Sequence, residues 1–153
     1  MARKPRYLVA LTTIFSGPKS KRIMEITGSK ITINKTAEEV FNFLSEVRNF
    51  ESLMPENIDK FQVLSENGFL FALKGMPEIA LEKKSEQAPN QLVLGAKSDK
   101  LPFTLTGNIQ QEGPNQCVVQ LHFAGDFNPM MAMMIKGPIT KFIDTLSEGL
   151  GKI

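Results

Sequence analysis

Between Ile58 and Phe123 the apolar residues keep a period of two, and on either side of that stretch they keep a period of three to four. Strands alternate their side chains between two faces, whereas helices return to one face every 3.6 residues, so the chain must combine both elements in a set order. Phe61 and Val63 alternate with polar neighbours, and after the Asn67-Gly68 turn signal Phe69, Phe71 and Leu73 fall on one face. Ile79 and Leu81 continue the pattern beyond Gly75 and Pro77. Leu92, Leu94 and Ala96 follow Pro89-Asn90, Phe103, Leu105 and Ile109 follow Pro102, and Val119, Leu121 and Phe123 follow Gly113-Pro114-Asn115. Short alternating runs joined by tight turns predict an antiparallel sheet with one dry face.

Upstream, Glu25 to Ile33 has the β-branched content of a first strand. Thr36 and Glu39 then have the spacing of a capping box, in which each satisfies an orphan amide at a helix start. Ala37, Val40, Phe41, Leu44 and Val47 mark the buried face of that helix, and N-F-E-S-L-M predicts a second short one, stopped by Pro55. The chain closes with a long amphipathic helix. On ideal geometry Met131, Ile135, Ile139, Phe142 and Leu146 form its buried stripe, with Lys136, Thr140, Asp144 and Ser147 opposite. Gly137-Pro138 leaves two options: the helix kinks there, or it starts firmly at Pro138 and the preceding methionines form a separate turn.

A length of 153 residues suits a single domain with a core of its own. Residues 1–22 carry six Lys and Arg and no acid, which leaves twelve basic against sixteen acidic residues in the body. A mildly acidic body is a poor partner for nucleic acid, where phosphate neutralisation dominates affinity. One cysteine, Cys117, excludes an internal disulfide, and one histidine, His122, leaves little scope for a metal site or a His-based triad, so no cofactor or metal is expected. No run reaches the length of a membrane-spanning helix. The segment 1–23 is expected to be a basic, disordered extension to a domain spanning 24–153, and the protein to be cytoplasmic. The apolar run from Tyr7 to Phe15 resembles a signal peptide loosely, but S-G-P-K-S-K-R follows it without a clear cleavage site.

The order strand, two short helices, about six strands and a long helix resembles the START-like, helix-grip fold of the SRPBCC group. Locally, I-T-G-S-K-I-T-I, A-E-E-V-F-N-F-L and V-R-N-F-E-S-L-M-P resemble the opening of bacterial members, among them coenzyme-Q-binding proteins and a family named for CO-dehydrogenase. The resemblance covers about Met24 to Leu150 and carries no catalytic motif. It implies an α+β fold in which a curved antiparallel sheet of about seven strands grips the C-terminal helix around an apolar cavity. Whether a void remains there is not legible in the residues.

Four of the eight methionines, Met130, Met131, Met133 and Met134, crowd the start of the last helix. Met131 falls in the buried stripe and Met134 at its edge, while Met130 and Met133 point to the polar side. Methionine is unbranched and polarizable, so it adapts to irregular space and to ligands of differing shape. Met130 and Met133 are read as an entrance, and Phe41, Met54, Phe71, Leu94, Phe103, Leu105, Leu121, Phe123, Met131, Met134, Ile135 and Phe142 as candidate cavity lining. All of them also serve as ordinary core. By alternation His122 faces solvent and Cys117 is an inert buried thiol, and Arg48 and the glutamates of the first helix belong to a solvated side.

The leading functional expectation is binding or carriage of a hydrophobic small molecule such as a lipid or isoprenoid quinone. An enzyme of the polyketide cyclase or aromatase kind is the alternative, although the inward positions are almost wholly apolar. A protein-interaction or chaperone-like role, with Met130 and Met133 forming an exposed patch for a partner, is the third, and transient membrane or protein contact is allowed for.

Overall fold

In a computed structural model of the chain, residues 23–97 and 102–153 are described. The N-terminal extension and the question of export lie outside these residues. Strand β1 (Ile23–Thr27) begins one residue inside the segment assigned to that extension. Then follow β2 (Ile31–Ile33), helix α1 (Ala37–Ser45), a 3₁₀ helix (Val47–Leu53), β3 (Ile58–Ser65), β4 (Gly68–Leu73), β5 (Ile79–Gln87), β6 (Gln91–Ala96), β7 (Phe103–Gly113), β8 (Gln116–Asp126) and helix α2 (Pro129–Leu150).

The strands form one antiparallel sheet in the order β1-β8-β7-β6-β5-β4-β3, with β2 also paired to β8. The predicted single first strand is thus two short ones. Between them Gly28 donates its amide to the Leu121 carbonyl at 2.8 Å. A side chain there would put its Cβ 2.9 Å from Ile143 Cγ2 and 3.1 Å from Ser147 Oγ, so the break lets α2 press against the backbone.

Helix α1 starts as its capping box requires: the Thr36 hydroxyl accepts the Glu39 amide at 3.1 Å, and the Glu39 carboxylate accepts the Thr36 amide at 2.9 Å. These bonds favour the ionised form and hold the Glu39 pKa below its ordinary value. Ala37, Val40, Phe41, Leu44 and Val47 are all buried, as the periodicity predicts. At the C-terminal end of α1, Lys83 donates to the Ser45 carbonyl at 3.0 Å and pairs with Glu86 at 3.1 Å, tying α1 to β5.

Helix α2 runs without interruption from Pro129 to Leu150, so neither a later start at Pro138 nor a separate methionine turn occurs. Asn128 caps it, its side chain accepting the Met131 amide at 2.8 Å, and Pro129 takes the first position, where its missing amide costs nothing. Pro138 lies inside the helix and cannot bond the Met134 carbonyl. Met134 is on the exposed side, where water can satisfy that oxygen.

The sheet's curvature follows from what α2 touches. The helix packs on β1, β2 and β8 at one side of the sheet, yet its Phe142 stacks on Phe71 of β4. In a flat sheet β8 and β4 would stand about 19 Å apart, nearly twice the width of a helix, so the sheet must bend around α2.

Candidate functional site

The inner face of the sheet is built from the alternating positions read from the sequence. Phe71, Leu94, Leu105, Leu121 and Phe123 are buried there, and Phe41 reaches the same core from α1. Ile135 and Phe142 come from α2 and are buried too, while Met54, Phe103 and Met131 are half-buried against this core. Met134 is not lining: at 65% exposure it stands on the outer side of α2 with Met130 and Met133, at 74% and 82%. The reason is angular, since residues 130, 133 and 134 share one helix face and the stripe through Ile135 and Ile139 lies on the other. Ser147, expected opposite the stripe, is buried at 3% and donates its hydroxyl to the Ile143 carbonyl at 2.8 Å.

Among the described residues two hollows adjoin α2. The inner one, about 10 Å³, is bounded by Leu94, Leu105 and Leu121 of the expected lining. Leu44, Phe50, Leu53, Leu92, Gly107, Leu146 and Leu150 complete it. Its volume suffices for one water at most, and its walls offer such a water no polar partner. The interior is therefore a nearly filled core, and the apolar cavity that the resemblance implies is reduced to this remainder. Gly107 takes the inward position between Leu105 and Ile109, so no side chain fills the space there.

The outer hollow, about 320 Å³, is a groove bounded by Pro55, Asn57, Leu73, Lys74, Gly137, Pro138, Lys141, Phe142 and Thr145. Its size falls within the range of small-ligand sites. Phe142 belongs to both groove and core. It lines the groove and also stacks on Phe71, with centroids 4.8 Å apart and rings 7° from parallel. From there aromatic contacts continue through Phe69 to Phe50 and Phe61. The second aromatic cluster, Phe103, Phe123 and Phe127, sits near the start of α2.

The polar groups best suited to carry chemistry are placed elsewhere. The His122 Nδ1 shares a hydrogen bond of 2.9 Å with the Thr27 hydroxyl, in a half-buried position beside β1. Cys117 is buried and free, and burial pushes its thiol pKa up, away from the reactive thiolate. Arg48 pairs with Glu46 at 2.8 Å on the surface. Among the described residues no helix is long and apolar enough to cross a membrane, and no three His, Cys, Asp or Glu are grouped as metal ligands.

Compared with protein-family profiles and with curated protein sequences, the chain gives no match. Solved structures do resemble it. Norcoclaurine synthase from Thalictrum flavum superposes with a TM-score of 0.66 at 12% identity, over 87% of each chain. A START superfamily protein from Mycobacterium smegmatis gives 0.62 at 12%, over 87% of this chain and 96% of that one. A protein from Thermus thermophilus gives 0.65 at 12%, over 84% and 95%. At such low identity the likeness speaks for architecture alone, and the strand order, the bent sheet and the gripped helix agree with it: the chain has the START-like, helix-grip fold of the SRPBCC group.

Proposed function

We propose that this protein binds a hydrophobic small molecule, such as a lipid, an isoprenoid quinone or a compound of similar polarity, between the sheet and α2. The observation that carries the reading is the groove of about 320 Å³ that ends on Phe142, with an apolar interior behind that ring. The interior as it stands admits nothing larger than water, so a ligand enters only if Phe142 and its neighbours move. Each Å² of apolar ligand surface removed from water contributes about 25 cal/mol toward opening and filling that space. Norcoclaurine synthase, one of the similar structures, is in complex with dopamine and hydroxybenzaldehyde, which supports the idea that the architecture accommodates small molecules.

A cyclase-like enzyme needs polar groups that converge on the reacting atoms. Among the described residues Ser147 is the one polar residue buried as a whole, and its hydroxyl is already committed to the Ile143 carbonyl, while the buried, unpartnered Ser45 hydroxyl at the end of α1 lines neither hollow. Binding is therefore the reading we favour over catalysis. Native mass spectrometry of the purified protein, followed by organic extraction, tests it. A discrete added mass that is released as a lipid or quinone supports the proposal. A bare protein that also fails to take up hydrophobic dyes refutes it.

A further inference from the structure

The first turns of α2 carry two apolar faces where packing needs only one. Met131, Ile135 and Ile139 turn toward the sheet. Met130, Met133 and Met134, at the i, i+3, i+4 spacing of a single stripe, are 74%, 82% and 65% exposed. Among the described residues the next most exposed large hydrophobic, Leu64, is only 39% exposed. Exposed apolar residues grouped in this way mark a surface that meets something. Gly137 extends the stripe by one turn, and nothing lies within 4 Å of where its Cβ would stand.

Along α2 itself, as far as Ile143, the charge has one sign. No acidic residue occurs from Phe127 to Ile143, whereas Lys136 and Lys141 do. Lys74 lines the same groove as Lys141, and none of these three lysines pairs with a carboxylate among the described residues. The register of the sheet adds to this end of the molecule. Ile23 pairs with Asp126, four residues before Met130 in sequence, and residues 1–22, which precede it in the chain, carry six cations and no acid. That segment also holds the apolar run from Tyr7 to Phe15.

We propose that this end of the molecule docks peripherally on a lipid bilayer containing anionic headgroups. Met130, Met133 and Met134 enter the interfacial layer, and the lysines beside them face lipid phosphates. Stable peripheral attachment takes two signals, commonly an apolar insertion and a basic patch, and both occur here side by side. A protein partner with an acidic groove would fit the stripe but would give no role to the apolar and basic residues that precede Ile23 in sequence. Attachment in this form needs no spanning helix, consistent with the absence of one among the described residues. The inference concerns the outer face of α2 and stands whether or not the interior takes a ligand.

The test is co-sedimentation of the full chain with vesicles of phosphatidylcholine alone and of phosphatidylcholine mixed with phosphatidylglycerol, at low and high salt. The expected result is binding to the mixed vesicles, weakened by salt and reduced about tenfold or more when Met130→Ser, Met133→Ser and Met134→Ser are combined. Because all three side chains are exposed, the triple variant should keep the wild-type melting temperature. No binding to the mixed vesicles, or equal binding by the wild type and a folded triple variant, would overturn the proposal. So would a wild-type dimer in light scattering that the triple variant abolishes, since the stripe would then belong to a second copy. Dye uptake measured without vesicles reports separately on the ligand reading.

Discussion

The rings of Phe71 on β4 and Phe142 on α2 stack 4.8 Å apart and 7° from parallel, and Phe142 also lines the groove. In the proposed binding mode Phe142 is the ring a ligand must displace, and replacing it by Ala removes that ring and its packing together. The expected cost is about 3–5 kcal/mol in urea denaturation, accompanied by increased uptake of a hydrophobic dye at temperatures where the variant is folded. A destabilised variant with unchanged uptake would show that Phe142 is core without being a gate.

Gly107 offers the opposite change. A Cβ there would stand 3.6 Å from Leu121 Cδ2 and 3.8 Å from Leu44 Cδ1, which is ordinary contact. Gly107→Ala should therefore fold normally and gain about 0.5–1 kcal/mol from the less flexible unfolded chain. If ligand enters this hollow, the same variant takes up less of it. Normal uptake would move the site outward to the groove.

Gly28 is the position where α2 comes closest to the β1–β2 break. Gly28→Ala would place a methyl 2.9 Å from Ile143 Cγ2, on a β-branched side chain that is stiff within a helix. The helix must shift, and a loss of about 1–3 kcal/mol is expected in chemical denaturation. A neutral result would mean that α2 slides freely on this side.

The capping box predicts a pH dependence. Glu39 has its pKa lowered by the bonds from Thr36, so the folded state binds its proton less readily than the unfolded state. Its contribution is fully present above the ordinary carboxylate value of 4.5 and is lost as pH falls through the lower folded value. Thr36→Ala should cost about 1 kcal/mol near neutral pH and make stability fall less steeply on acidification. Parallel acid-denaturation curves for the variant and wild type would argue against the box.

Cys117 is at 0% exposure with a raised thiol pKa. It should resist thiol reagents in the folded protein and react within the dead time in denaturant. Rapid labelling under native conditions would reveal opening of the β2–β8 region.

Local rules sufficed for much of the molecule. The alternation through Phe69, Phe71, Leu92, Leu94, Leu105, Leu121 and Phe123 named the dry face of the sheet, because side-chain direction in a strand depends only on parity. Thr36 and Glu39 announced a helix start whose hydrogen bonds span only three residues. The order of elements, with the local resemblance of the opening segments, pointed to the helix-grip fold. What the residues could not convey depended on distances between distant segments. Nothing near Gly28 in sequence reveals that Ile143 and Ser147 will press on it, and nothing near Ser147 reveals that it will be buried. The Met134 side chain is read at the edge of the stripe, yet on ideal geometry it shares the face of Met130 and Met133, and it is exposed with them. The interior volume, by contrast, depends on distant segments. Side chains from both helices, the 3₁₀ helix and the sheet converge on one point, and a hollow of about 10 Å³ is the small remainder of their close packing, which no pattern along the chain encodes.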